Sequence, residues 1–124
     1  VDDEPEFYEP DEWRGRADDK KQGSSGVVEY APSGAVIDNS RVSGYCLSAY
    51  NQLLSSGVCP EQARMVLPQS TMTEWYWSGS LDAFSDMCNL RCKEDTQLET
   101  RIVADEISAD MKDLFPISWE ALQQ

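Results

Sequence analysis

The sequence contains no histidine. That removes the commonest general base, the commonest zinc ligand and every Ser-His or Cys-His nucleophile pair. Positive charge is nearly as scarce: 10 Lys and Arg stand against 23 Asp and Glu, a net charge of -13. After residue 26 the only cations are Arg41, Arg64, Arg91, Lys93, Arg101 and Lys112. Phosphates and anionic lipids would be repelled, so no nucleic acid and no membrane surface is expected as a partner. No apolar run reaches the roughly 20 residues that a membrane span needs. No basic stretch followed by an apolar one opens the sequence, so no secretion signal is expected and the cytoplasm is the expected location. The four cysteines, Cys46, Cys59, Cys88 and Cys92, are then expected as reduced thiols rather than two disulfides. With 124 residues and 40% apolar content, the chain suffices for one modest domain and not for two.

Residues 1 to 36 read as an irregular acidic arm. Pro5, Pro10 and Pro32 oppose helices, and Gly23 to Gly26 is a Gly-Ser stretch. The arm still carries Phe7, Tyr8 and Trp13, a density of aromatics that a disordered tail would rarely hold. It is expected to dock on something, another chain included. Residues 37 to 124 read as the helical, ligand-binding part of a single domain.

Asp38 to Ser40 offer caps for a long helix, on which Val42, Tyr45, Cys46, Ala49, Tyr50, Leu53 and Leu54 recur at helical spacing. Gly57 is a stop, Pro60 opens a short helix bearing Arg64, and Pro68 ends it near Leu67. Residues 69 to 77 are rich in Thr, Trp and Tyr, without Gly or Pro, and predict a strand. Ser78-Gly79-Ser80 is a turn, with Ser80 the N-cap of a third helix. Leu81, Phe84, Cys88 and Arg91 share one face of that helix, so Arg91 is expected to point to the interior or a cleft. A fourth helix is predicted from Asp95 or Thr96 to Leu114, with Leu98, Ile102, Val103, Ile107, Met111 and Leu114 as its wide apolar side. Pro116 ends it, and Ile117 to Leu122 form a last turn or two. The fold class is α+β, mostly helical.

Two arginines stand among apolar neighbours, in Gln62-Ala63-Arg64-Met65-Val66-Leu67-Pro68 and in Cys88-Asn89-Leu90-Arg91. A cation so placed costs free energy unless an anion or acceptor satisfies it. The pair suggests a site for a planar, anionic ligand, although either arginine alone reads as structural. Cys88 and Cys92 have the spacing of two helical metal ligands, yet two small core residues would look the same. Cys92 beside Arg91 is a possible low-pKa nucleophile without a convincing base. Glu94, Asp95 and Glu99 fit the start of a helix on electrostatic grounds alone, and Glu74 among aromatics does not define a reaction. The residues themselves lead to an acidic α+β piece with two arginines suited to an anion, and to no particular chemistry.

Several runs together resemble a known family. Ser56-Gly57, Ala63-Arg64-Met65-Val66-Leu67-Pro68, Trp75-Tyr76-Trp77-Ser78-Gly79-Ser80-Leu81 and Asn89-Leu90-Arg91 resemble the C-terminal part of the flavin-dependent thymidylate synthases. Gln97 and Glu99 continue the pattern, and Phe7-Tyr8-x-Pro10 with Trp13-Arg14 resembles the segment that follows the family signature. That signature, an Arg-His-Arg run with spaced serines and an Arg-Tyr pair, would end just before this sequence starts. A split gene, a fragment, or a partner polypeptide supplying the N-terminal part would each account for this.

The resemblance implies methylation of dUMP to dTMP, with methylenetetrahydrofolate as carbon donor, reduced FAD as hydride donor and NADPH as the reductant of the flavin. It implies a homotetramer with shared active sites and no cysteine nucleophile. By residue, it implies Arg91 as the catalytic group that faces the uracil edge, and Arg64 as a second substrate-binding arginine. It implies Ser80, Leu81, Asp82 and Asp86 as flavin-contacting positions. Members often have an Asn-x-Arg run where Ser80-Leu81-Asp82 stands, an Asn in place of Asp86 and a His in place of Asp95. Asp82 would repel a flavin phosphate that an arginine would hold. Two other readings remain: a non-catalytic nucleotide-binding or assembly module of the same fold that has lost flavin, and a cysteine-based metal or redox protein.

Overall fold

The architecture is that of a computed structural model, which describes residues 4–19, 23–29 and 39–123. Pro32 and Asp38, named above as a helix breaker and a candidate cap, lie outside the described residues. Among the described residues, five α-helices and one two-stranded antiparallel sheet make the chain α+β and mostly helical. The chain divides into two compact units. One comprises Val1–Asp11 and Tyr30–Trp75, the other Glu12–Glu29 and Tyr76–Gln124.

The first unit is built from local backbone devices. Helix α1 runs over Asn39–Ser55. Gly57 stops it at φ 85°, a conformation that costs a β-carbon-bearing residue. The Gly57 N–H donates to Leu54 O at 2.9 Å and the Val58 N–H to Leu53 O at 3.0 Å. These two bonds satisfy carbonyls that the helix end would leave open, the paired arrangement typical of glycine stops. Helix α2, Pro60–Ala63, begins on a proline that lacks only an N–H the helix would not use, and passes into a 3-10 turn over Arg64–Val66. Leu67 turns extended ahead of Pro68, as a residue before proline prefers.

No strand spans residues 69 to 77, contrary to the propensity of that segment. Among the described residues only Thr71 pairs there, as an isolated antiparallel bridge to Phe7. Tyr8 N–H donates to Ser70 O at 2.8 Å and Met72 N–H to Glu6 O at 2.7 Å. Strand propensity states a preference, whereas a ladder needs a partner, and here the partner is three residues long.

The strands lie instead in the segment read as irregular. Trp13–Arg16 (β1) pairs with Ser24–Val28 (β2), placing Trp13 opposite Val28 and Arg16 opposite Ser24. The register shifts between Arg14 and Gly15, which leaves Gly26 as the extra residue of a bulge at φ 61°. The charged and Gly-Ser composition of this hairpin concealed it.

The second unit has the more developed core. Helices α3 (Leu81–Arg91), α4 (Leu98–Leu114) and α5 (Pro116–Leu122) pack on one another. Cys88, Ala104 and Trp119 are buried there, and Ser85 is buried with its hydroxyl donating to Leu122 O at 3.1 Å. Gln123 Nε2 donates back to Ser85 Oγ at 2.8 Å, so a polar pair ties α5 to α3. Helix α4 begins at Leu98 rather than at Asp95 or Thr96, because Thr96 is spent on a preceding turn: its N–H donates to Lys93 O at 3.0 Å. The wide apolar side expected on α4 is partly covered: Leu98, Ile107 and Met111 are half-buried beside the buried Ala104, whereas Ile102, Val103 and Leu114 are exposed.

Candidate functional site

Arg64 and Arg91 belong to different units, and each is placed by its own surroundings. Arg64 opens the 3-10 turn after α2, with its carbonyl accepting the Leu67 N–H at 3.1 Å. Ala63 beside it is fully buried and anchors the turn, while Arg64 and Met65 are exposed. Arg91 is the last residue of α3, where the carbonyl end of the helix favours a cation. Among the described residues neither guanidinium has a hydrogen-bond or ion-pair partner. Exposure to water satisfies both groups, so neither is the buried cation that the apolar neighbours suggested.

Arg91 was expected in the interior or in a cleft, and the cleft is what it borders. A concavity of about 410 Å³ is lined by Leu90, Arg91, Lys93, Thr96, Gln97 and Thr100, with Asp95 beside them. The loop between α3 and α4 that forms its floor is stitched from three sides. Thr96 is buried and its Oγ1 donates to Leu90 O at 3.4 Å. Arg101 Nη1 donates to Glu94 O at 2.8 Å, and Ser24 N–H of β2 donates to Asp95 O at 3.3 Å. Two cations, the Thr100 hydroxyl and the Gln97 amide can receive an anionic or polar ligand edge, with the planar guanidinium as the group suited to paired acceptors. Lys93 was not among the expected site residues. Its position two residues beyond Arg91, in a chain so poor in cations, was the available signal.

The first turn of α3 carries the four positions expected to meet a flavin. Ser80 caps the helix, its Oγ accepting the Ala83 N–H at 3.1 Å. Leu81 is half-buried, and Gly79 approaches Phe84 closely enough that a β-carbon would stand 3.4 Å from the ring. Phe84 also meets Trp77, with ring centroids 4.9 Å apart at 54°. Asp82 and Asp86 are exposed and one helical turn apart. No lysine or arginine lies between residues 80 and 90. These residues fit N–H and O–H groups of a ligand and its apolar ring, because carboxylates only accept hydrogen bonds. They do not fit a diphosphate, which two carboxylates repel.

Cys88 and Cys92 sit where burial favours the protonated thiol. Cys88 is buried and donates to Ala104 O at 3.6 Å. Burial pushes its thiol up, with the nearby Asp105 carboxylate adding to the effect. Burial, then a hydrogen bond with Asp105, pushes the Cys92 thiol up to about 12. Near neutral pH both remain protonated, and the thiol is not the attacking species.

The family model described as Thymidylate synthase complementing protein matches residues 1–117. The chain belongs to this family, the flavin-dependent thymidylate synthases. It is 35% identical over 119 residues to a flavin-dependent thymidylate synthase of Thermus thermophilus, covering 96% of this chain and 43% of that protein. It is 31% identical over 117 residues to that of Dictyostelium discoideum, covering 93% and 39%. With the enzyme of Thermosipho melanesiensis it shares 32% identity over 119 residues, covering 94% and 51%. The chain thus spans about half or less of the length of these flavin-dependent thymidylate synthases. Among the described residues no helix is long and apolar enough to cross a membrane.

Proposed function

We propose that this chain forms the C-terminal, nucleotide-facing part of a flavin-dependent thymidylate synthase that converts dUMP to dTMP. The observation that carries the reading is Arg91: a guanidinium with no partner among the described residues, borne by the last residue of a packed helix on the rim of a concavity, in a chain of this family. Its planar fork would face the uracil edge and stabilise the negative charge left when the ring loses its N3 proton. The activated ring then takes the methylene of methylenetetrahydrofolate without attack by a thiolate, in keeping with thiols that stay protonated. When bound, reduced FAD would supply the hydride, and NADPH would restore the reduced flavin. Arg64 is a second nucleotide-binding group. Ser80 and Leu81 are flavin-facing positions, with Asp82 and Asp86 directed to N–H or O–H groups rather than to phosphate.

The cationic contacts of the flavin then come from the Arg-His-Arg part of the family, on the same or another polypeptide, and the active assembly is a homotetramer with shared sites. The cytoplasm is the expected compartment. Asp82 and Asp86 favour one second reading, a nucleotide-binding or assembly module that has lost flavin. The two readings part on colour and turnover. Alone, the 124 residues should stay colourless with FAD. Joined with a polypeptide carrying the Arg-His-Arg part, they should give a yellow complex that forms dTMP. Retained dUMP binding in a joined complex that takes up no flavin would establish the second reading and end the first. A stoichiometric flavin spectrum from the 124 residues alone would overturn the division of the flavin site.

A further inference from the structure

The hairpin of the second unit meets the loop between α3 and α4 at one point. Gly23 leads into β2, and Gly23, Ser24 and Asp95 all belong to that compact unit. The approach is close: a β-carbon on Gly23 would collide with the Asp95 carbonyl oxygen, which is main chain and cannot swing aside. The buried Ala17 borders the same spot, and Gly23 stands at φ 155°, which also disfavours a β-carbon. Ser24 N–H donates to the same oxygen at 3.3 Å. Ser24 is buried and its hydroxyl has no partner, so the main chain alone makes this tie. Gly26, in the same hairpin, differs. Its φ of 61° is strained for other residues, yet a β-carbon there meets nothing within 4 Å.

From Asp95 the tie continues to Arg91. Thr96 is the next residue and is buried, and its Oγ1 donates to Leu90 O at 3.4 Å. That oxygen is one of the last four carbonyls of α3, which helical geometry leaves open. Thr96 N–H also donates to Lys93 O at 3.0 Å, which closes the turn between them. Leu90 immediately precedes Arg91, the last residue of the helix. An unbroken run of contacts, Gly23 and Ser24 to Asp95, Thr96 to Leu90, thus reaches the base of the guanidinium. We propose that Gly23 and Ser24 are positioning residues for Arg91, an inference that rests on its role in activating the ring. The hairpin holds the Asp95 main chain in place, and Thr96 passes that placement to the end of α3. Glycine is needed at position 23 because any side chain would push the loop away. Displacing a catalytic group by about 1 Å can cost about a hundredfold in rate.

The test measures dTMP formation by the completed enzyme, this chain joined with the Arg-His-Arg part, and amide exchange at Thr96 in the chain itself. Gly23→Ala should lower turnover by up to about a hundredfold and speed exchange at Thr96 severalfold, with the helical circular dichroism kept. Ser24→Pro, which removes the donor and sets a ring carbon in its place, should act in the same direction. Gly26→Ala strains the same hairpin without pushing on the loop, and should leave turnover at the parent's level. In an Arg91→Ala enzyme, Gly23→Ala should remove little further activity, because the two changes act through one group. Parent-like turnover of Gly23→Ala, an equal loss from Gly26→Ala, or a full additional loss on top of Arg91→Ala would each overturn the positioning. Unchanged exchange at Thr96 in Gly23→Ala would overturn it as well and leave the proposed function standing. An Arg91→Ala enzyme with parent turnover would instead remove the catalytic reading of Arg91, while faster exchange at Thr96 in Gly23→Ala would still support the hold of the hairpin on the loop.

Discussion

Arg64 is held by its own stretch of backbone, whereas Arg91 is held by a helix packed on two others. Around Arg64 the fixed points are the glycine stop at Gly57, the proline start at Pro60, the 3-10 turn and the buried Ala63. Around Arg91 they are the buried Cys88, Ala104 and Trp119 and the Ser85 pair with Leu122 and Gln123. One arginine is placed mainly by cap and turn stereochemistry around a single buried alanine, the other by a helix packed on two others. Damage to the core should therefore reach Arg91 and spare the turn that carries Arg64.

The largest expected effect breaks the packed side of this contrast. Trp119→Ala should destabilise the second unit by about 3 to 5 kcal/mol, the usual range for deleting a buried large aromatic. Urea unfolding followed by helix circular dichroism should show it, and a midpoint equal to that of the parent would contradict the contribution assigned to this core. Next comes the reaction itself. Arg91→Ala in the completed enzyme should lower turnover by about 2.7 to 4 kcal/mol in the barrier while leaving the unfolding midpoint nearly unchanged. Arg91→Lys should not restore it, because a point charge does not replace a planar fork. Near-parent dTMP formation by the Ala variant would remove Arg91 from catalysis.

The local side is sharpened by Gly57→Ala. The left-handed conformation there should cost about 1 to 2 kcal/mol, measured by the thermal unfolding of the chain. No change in midpoint would mean that α1 can end in another way.

Smaller still is the double replacement of Cys88 and Cys92 by Ala, expected to cost roughly 1 kcal/mol and to spare turnover of the completed enzyme. A collapse of turnover with the fold intact would restore a cysteine mechanism. One of these thiols also carries a pH dependence. The folded Cys92 thiol, raised from the ordinary 9.0 to about 12, holds its proton where the unfolded chain releases it. Its contribution to stability is complete below pH 9 and is lost as pH rises toward 12. The parent should lose stability more steeply than Cys92→Ser over that window in alkaline unfolding scans, and parallel curves would refute the shift.

The same contrast explains what the sequence could reveal. The ends of α1, α2, α3 and α5 were readable because Gly57, Pro60, Ser80 and Pro116 act on their immediate neighbours. The hairpin of β1 and β2 was not, because its pairing joins residues about ten apart through a charged, glycine-rich stretch that has no strand pattern. The strand expected at 69 to 77 failed for the converse reason, a suitable sequence without a full partner. The position of Arg91 at the end of α3 followed from spacing. Its exposure did not, since a helical stripe specifies a face and not what covers it. Lys93 escaped attention because it sits in a loop, where no periodicity marks which side chains share a concavity.

The bond from Ser24 N–H to Asp95 O bears on the order of folding. The contacts among α3, α4 and α5 join neighbours in sequence and close short loops, which is quick. The Ser24 bond spans more than half the chain, so it closes a long loop and gains its entropy back late. The floor beneath Arg91 should thus be the last part of its unit to become rigid. Pulse-labelled refolding would find the three helices protected before the Ser24 amide.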